Sequence, residues 1–230
     1  MKKSFLTGFL IVLLSSAMNG QVEHRPFQFG IQVAPNLGWL SPDTKGYSGD
    51  GIHAGFSWGF VSDIAIASNY YFSTGFDLNY LNAKLTFDSQ LVTAGDTTLG
   101  VMHRTYNMRY LEIPLLFKMK TNAFGLYRFW ANIGFVAGIN IKAKTDDYFV
   151  PANGKVVTSV DDAFDDIATA RFALQFGAGV DYLIDKSTFL FLGLNYNNGL
   201  TNVLNGVNPA TRETQRAVPS YLALSLGIMF

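Results

Sequence analysis

Residues 218–230 read VPSYLALSLGIMF. A β-strand points neighbouring side chains to opposite faces. Leu222, Leu224, Leu226, Ile228 and Phe230 therefore share one face, and Tyr221, Ala223, Ser225, Gly227 and Met229 share the other. The first face is strongly apolar and the second is small or mildly polar. In a soluble sandwich or barrel the apolar face would point inward. In an outer-membrane barrel it points to lipid, and the small or polar face lines the interior. The upstream sequence decides between these.

The same alternation recurs seven times. It begins with Phe27, Phe29, Ile31 and Val33 against Gln28, Gly30 and Gln32. It returns with Ile52 to Phe60, with Tyr70 to Tyr80, and from about Val101 to Lys118, where Leu111, Ile113, Leu115 and Phe117 oppose Tyr110, Glu112, Pro114 and Lys118. It returns again from Tyr127 to Ile141, from Phe172 to Tyr182 and from Leu190 to Tyr196. The polar segments Ser41–Gly51, Ser89–Gly100, Ala143–Ala168 and Asn198–Arg216 read as long loops, whereas the connections near Ser68, Met119–Phe124 and Asp185–Ser187 read as short turns. Eight strands with alternating long and short connections match an antiparallel up-and-down transmembrane β-barrel with outer loops and short periplasmic turns.

The second face settles the parity. It carries Gln28, Gln32, His53, Asp77, Glu112, Arg128, Asn132, Arg171, Gln175, Asp181 and Asn195. So many charges and amides in an oily soluble calyx would meet large desolvation costs. A hydrogen-bonded barrel lumen accommodates them. Phe27, Tyr70, Tyr127, Tyr182 and Phe230 at one level, and Tyr80, Phe172 and Tyr196 at the other, suit interfacial girdles.

Composition agrees. Charged residues are 15% of the 230-residue chain, against about 25% in soluble domains. Lys+Arg and Asp+Glu both number 17, so charge gives no reason to expect nucleic acid. Cysteine is absent, which excludes disulfides, thiolate metal sites and a Cys nucleophile. Residues 1–20 read as a cleaved signal peptide. Lys2 and Lys3 precede the apolar run Phe5–Leu14, and small residues follow, with cleavage after Ala17 or Gly20. Residues 21–230 are then the barrel domain.

The segment Tyr110–Lys118, YLEIPLLFK, resembles the signature of the PorT-like outer-membrane β-barrel family. Tyr196–Asn202, YNNGLTN, followed by Leu222–Phe230, is similar to that family's closing hairpin. The resemblance implies a small outer-membrane barrel, and for the founding member a role in type IX protein secretion. Pro114 within this signature donates no ladder hydrogen bond, so a local bulge is expected there.

Asp77, Glu112 and Asp181 face the same lumen as Lys118, Arg128 and Arg171, which predicts a polar network. Two readings stand: a salt-bridged plug filling a narrow eight-stranded barrel, or a path for protons or ions. No compact Ser/His/Asp or paired-acid cluster is legible, so the chain reads as non-enzymatic, and no motif asks for a cofactor. The acids of the longest loop lack the glycine and terminal glutamate of a calcium loop. That loop still offers outer-surface binding candidates: Asp146, Asp147, Tyr148, Phe149, Asp161, Asp162, Phe164, Asp165 and Asp166. The partners implied are outer-membrane lipid and an envelope protein docked on the outer loops. The function implied is an accessory barrel, with a transport or secretion element as the alternative.

Overall fold

The structure, a computed structural model, describes residues 26–93, 96–152, 154–185 and 187–230. The expected signal peptide lies outside the described residues. Ten strands follow in order: β1 (Phe27–Pro42), β2 (Tyr47–Gly49), β3 (His53–Ala67), β4 (Tyr70–Thr93), β5 (Asp96–Lys120), β6 (Tyr127–Pro151), β7 (Val157–Asp162), β8 (Ala170–Leu183), β9 (Phe189–Gly199) and β10 (Ala217–Met229).

Eight of them close a ring in the order β4-β3-β1-β10-β9-β8-β6-β5 and back to β4, every pair antiparallel. The seam joins the first and last strands, from Gly30 opposite Met229 to Pro42 opposite Ala217. The short β2 and β7 stand outside the ring, on β4 and β6.

The alternation in residues 218–230 holds: Leu224, Leu226 and Phe230 are exposed, and Tyr221, Ala223, Ser225 and Met229 are buried. The other strands repeat this. On β5, Leu111 to Met119 faces outward over roughly 27 Å of strand, close to the ~25 Å apolar band of a membrane barrel. Tyr127 meets Tyr182, Tyr70 stacks on Phe117 and Phe29 meets Phe230 at the end with short turns. At the far end Tyr196 stacks on Trp39.

Three expectations are corrected. Residues Ser89–Gly100 are not a loop: β4 and β5 stay paired through Thr93 and Asp96. Residues Ala143–Ala168 are not one loop either, because β6 runs on to Pro151 and β7 pairs back onto it. In the second stretch Lys144 and Asp146 point to water, while Ala143 and Phe149 on the other face join an interior core. Pro114 causes no bulge. The β4–β5 register is the same on both sides of it, and only the pairings between Thr74–Leu115 and Asp77–Glu112 drop out. The register shifts fall elsewhere, near Ala65 on β3 and opposite Arg109–Tyr110 on β6.

The second shift changes the phase of β6. Trp130 and Asn140 point inward before it, and Ala143, Thr145, Asp147 and Phe149 after it, with Ile141 as the extra residue. Above the apolar band, the interior is packed by Leu81, Leu85, Phe87, Met102, Tyr106, Met108 and Phe149. The barrel therefore continues as a folded extension with an ordinary hydrophobic core.

Candidate functional site

The interior has three layers. At the turn end, Asp63 is fully buried and takes Lys118 Nζ at 3.0 Å, Lys120 Nζ at 2.7 Å and the Ser73 hydroxyl at 2.6 Å. Lys120 also donates to Gln28 Oε1 at 2.9 Å. Beside it, Arg128 grips Asp181 Oδ2 through Nε (3.0 Å) and a terminal nitrogen (2.7 Å). Aromatic rings flank these cations: Lys118 lies over Trp130, and Lys120 and Arg128 over Phe189. The indole of Trp130 lies along the inner wall over the paired Gly179 and Gly193 of the next two strands, where any Cβ would collide with it.

The middle layer centres on Glu112 and Arg171. Glu112 Oε1 accepts from Arg171 at 2.7 Å and from Asn79 at 3.1 Å, while Oε2 accepts from the Tyr221 hydroxyl at 2.8 Å. Arg171 also donates to Asn197 Oδ1, and its guanidinium lies near the Tyr110 and Tyr221 rings. Asp77 takes Gln32 Nε2 at 2.7 Å. A polar-lined cavity of about 60 Å³ separates the two charged layers, bounded by Gln32, Asp77, Lys118, Trp130, Asn132 and Gln175. It is wide enough for water and far too small for a sugar.

The third layer is the apolar core of the extension, closed from above. Residues 200–216 fold across the open end: Val203 and Leu204 are buried beside Ile167 and Ala163. Backbone bonds from Ala168 to Val203 and from Asn205 to Asp166 hold this cap to the segment after β7. Asn208 donates to Tyr47 and to the Asp88 carbonyl, and Thr44 bonds Arg216, so the cap is tied to the first loop as well.

All six residues expected in the lumen face it, but they do not form one network. Lys118, Arg128 and Asp181 belong to the lower layer, and Asp77, Glu112 and Arg171 to the middle one. Gln28, already read as inward, joins the lower layer through Lys120, and Asp63 and Lys120 are further members that the sequence reading passed over. Asp63 and Lys120 stand at the same parity as inward residues of their strands, two positions beyond Val61 and Lys118. Of the nine outer candidates, Asp147 and Phe149 are turned inward. Asp147 takes Arg104 bidentately at 2.8 and 2.6 Å, and Phe149 is buried in the core. Burial works against the Arg104 charge, yet the Asp147 carboxylate and Tyr106 outweigh it and raise the guanidinium pKa. Burial pushes the Tyr106 hydroxyl up to about 12. Asp146, Tyr148, Asp161, Asp162, Phe164, Asp165 and Asp166 remain exposed.

A family model described as outer membrane protein beta-barrel domain matches residues 16–205. The chain belongs to this outer-membrane β-barrel family. No curated protein gives a significant match. Among solved structures, the barrel is similar to Neisserial surface protein A, at 14% identity over 89% of this chain and 96% of that one, with a TM-score of 0.42. It is similar to OprG from Pseudomonas aeruginosa at 8% identity over 91% and 99%, TM-score 0.46. It is similar to Ail, the attachment invasion locus protein of Yersinia pestis, at 12% identity over 90% and 100%, TM-score 0.35. Family membership puts the apolar band in the lipid of the bacterial outer membrane. The long-strand end is then the outer one.

Proposed function

We propose that this barrel is a non-enzymatic accessory protein of the outer membrane whose outer extension binds an envelope partner. The observation that carries this reading is the contrast between a closed interior and an open outer edge. The lumen is filled by two ion-paired layers and an apolar third, beneath a cap. In contrast, all six residues of β7 are exposed, and among the described residues its one strand partner is β6. An unpaired edge strand offers backbone donors and acceptors for an added strand. The adjoining outward face carries Lys144, Asp146, Tyr148, Thr158, Val160 and Asp162, so polar and aromatic side chains flank the edge that an added strand would use.

The test replaces residues 156–162 with a short Gly/Ser turn and leaves Asp147, Phe149 and Ala163 onward in place. The altered barrel should insert and keep boiling-dependent gel mobility, yet lose the protein that crosslinks to the intact barrel in membranes. Full complementation of a deletion strain by the shortened protein would refute the reading. A second reading, a secretion element, rests on the resemblance of YLEIPLLFK to the PorT-like group. Under it the barrel acts as a docking component of a larger apparatus, since the filled lumen passes no polypeptide. Proteolytic release of the cap should then leave secretion intact if the loops are idle, and block it if they dock the apparatus.

A further inference from the structure

The outward face changes character in one step at the outer rim of the apolar band. Leu78, Leu111 and Ile139 form the last full apolar row across β4, β5 and β6, with the extra residue Ile141 exposed just above it on β6. The next outward row is Tyr80, Arg109 and Lys142, and the one above it Asn82, Asn107 and Lys144. Arg109, Lys142 and Lys144 are exposed, and among the described residues none has a carboxylate oxygen within 4.0 Å. Arg109 rests over the Tyr80 ring at 4.9 Å.

Arg109 and Lys142 stand directly opposite each other. Like charges in that position are unfavourable on their own. The shift at Ile141 creates the juxtaposition, because in unbroken register Arg109 would face Ile141. Bulges commonly re-aim a side chain in this way. A concave depression of about 310 Å³ lies beside this row, lined by Tyr80, Asn82, Asn107, Arg109, Lys144 and Asp146. Asp146 Oδ2 accepts the Asn107 amide at 2.7 Å, which holds both groups at the edge of the depression.

We infer that this depression, together with the Arg109–Lys142 pair at its edge, holds the phosphorylated sugar headgroup of an outer-leaflet lipid. The phosphate sits between Arg109 and Lys142, with Lys144 above, and turns their repulsion into two attractions. The guanidinium fork matches phosphate oxygens. Asn82, Asn107 and Asp146 supply donors and acceptors suited to sugar hydroxyls. The height of the site selects a lipid over a soluble anion: the cations begin one row above Leu78, Leu111 and Ile139, and acyl chains lie along that apolar row. The opposite rim carries Trp39 stacked on Tyr196 instead, so the site is confined to one side of the barrel.

The experiment titrates the folded barrel in zwitterionic micelles with diphosphoryl lipid A and with its dephosphorylated form, using native mass spectrometry. The intact barrel should retain the phosphorylated lipid and discriminate against the other. R109Q/K142Q should bind it about thirtyfold more weakly, on roughly 1 kcal/mol per basic residue at a membrane surface. R109K should stay within a few-fold of the intact barrel, and so should K45Q, which removes a cation from the distant first loop. Boiling-dependent mobility confirms that each variant is folded, and single K142Q serves if the double variant is not. Equal binding of the two lipids, undiminished binding by R109Q/K142Q, or an equal loss in K45Q would overturn the inference. Displacement of the lipid by millimolar inorganic phosphate would overturn the lipid assignment.

Discussion

Replacing Arg171 by methionine tests whether the middle layer is a mutually dependent charge cluster. Arg171 and Glu112 expose 1% and 2% of their surface. Without Arg171, the donors left to Glu112 among the described residues are the Asn79 amide and the Tyr221 hydroxyl. Two neutral hydrogen bonds contribute about 1 kcal/mol each, well short of the desolvation cost of a buried carboxylate. Breaking one side of a buried pair costs about 3–5 kcal/mol, and replacing both sides is often close to neutral. R171M should therefore destabilise by about 4 kcal/mol, lowering the urea midpoint by roughly 2 M at a slope of ~2 kcal/mol per molar. E112Q/R171M should return to within about 1–2 kcal/mol of the parent, because the neutral amide that replaces the carboxylate can still meet Asn79 and Tyr221. The assay is urea unfolding in lipid vesicles, read by tryptophan fluorescence and by the fraction that shifts on boiling. Strict additivity of R171M and E112Q, or a loss below about 1 kcal/mol for R171M, would refute the reasoning.

Other consequences are open to measurement. Sugars should enter liposomes no faster when the barrel is present, and a large steady single-channel conductance from pure protein would contradict the filled lumen. Phe149→Ala should cost about 3–5 kcal/mol by emptying the extension's core, whereas its exposed neighbour Tyr148→Ala should cost under about 0.5 kcal/mol, in the same urea assay. The Asp50 carboxylate is held below its usual range by the Lys84 ammonium, with Thr86 and His103 also donating. A depressed carboxylate contributes stability above its unfolded pKa of about 3.9 and loses it as pH falls through the lower folded value. The first loop should therefore keep its amide protection at pH 5 and lose it only below about pH 4, and K84Q should move that loss upward.

The ring was legible because lipid imposes one rule on every strand within the band: apolar outward. The extension was not, because the rule inverts where lipid gives way to water. Along β4 the odd positions face inward throughout, yet Ser73, Asp77 and Asn79 are polar while Leu81, Leu85 and Phe87 are apolar. The pattern of hydrophobicity flips with no change in strand geometry, and read with a single rule it looks like the end of a strand. On β6 the extra residue Ile141 adds a real change of phase. Asp147 and Phe149 looked like surface groups because Ala143–Ala168 read as one loop, whereas β6 runs on through them to Pro151. The lower ion cluster was half visible. Lys118 and Asp181 were placed in the lumen, and Asp63 and Lys120 were missed because the alternation was followed only as far as its last bulky apolar residue. Pro114 was a fair signal of a broken ladder, and the break cost two pairings with no shift in register.

The seam between β1 and β10 governs the order of events during assembly. Its partners, such as Val33 and Leu226, are separated by nearly the whole chain, whereas β4 and β5 meet through a hairpin whose ends, Thr93 and Asp96, are almost adjacent. Hairpins zip from local contacts, and distant pairings wait on loop closure. Until β10 has arrived, β1 has an open edge and the sheet is a curled ribbon with lipid-facing residues exposed to water. The polypeptide must therefore cross the periplasm complete and still unclosed. A truncation that removes only residues 217–230 should leave the long hairpins able to form and the cylinder unable to close, so that the product is captured by chaperones and degraded.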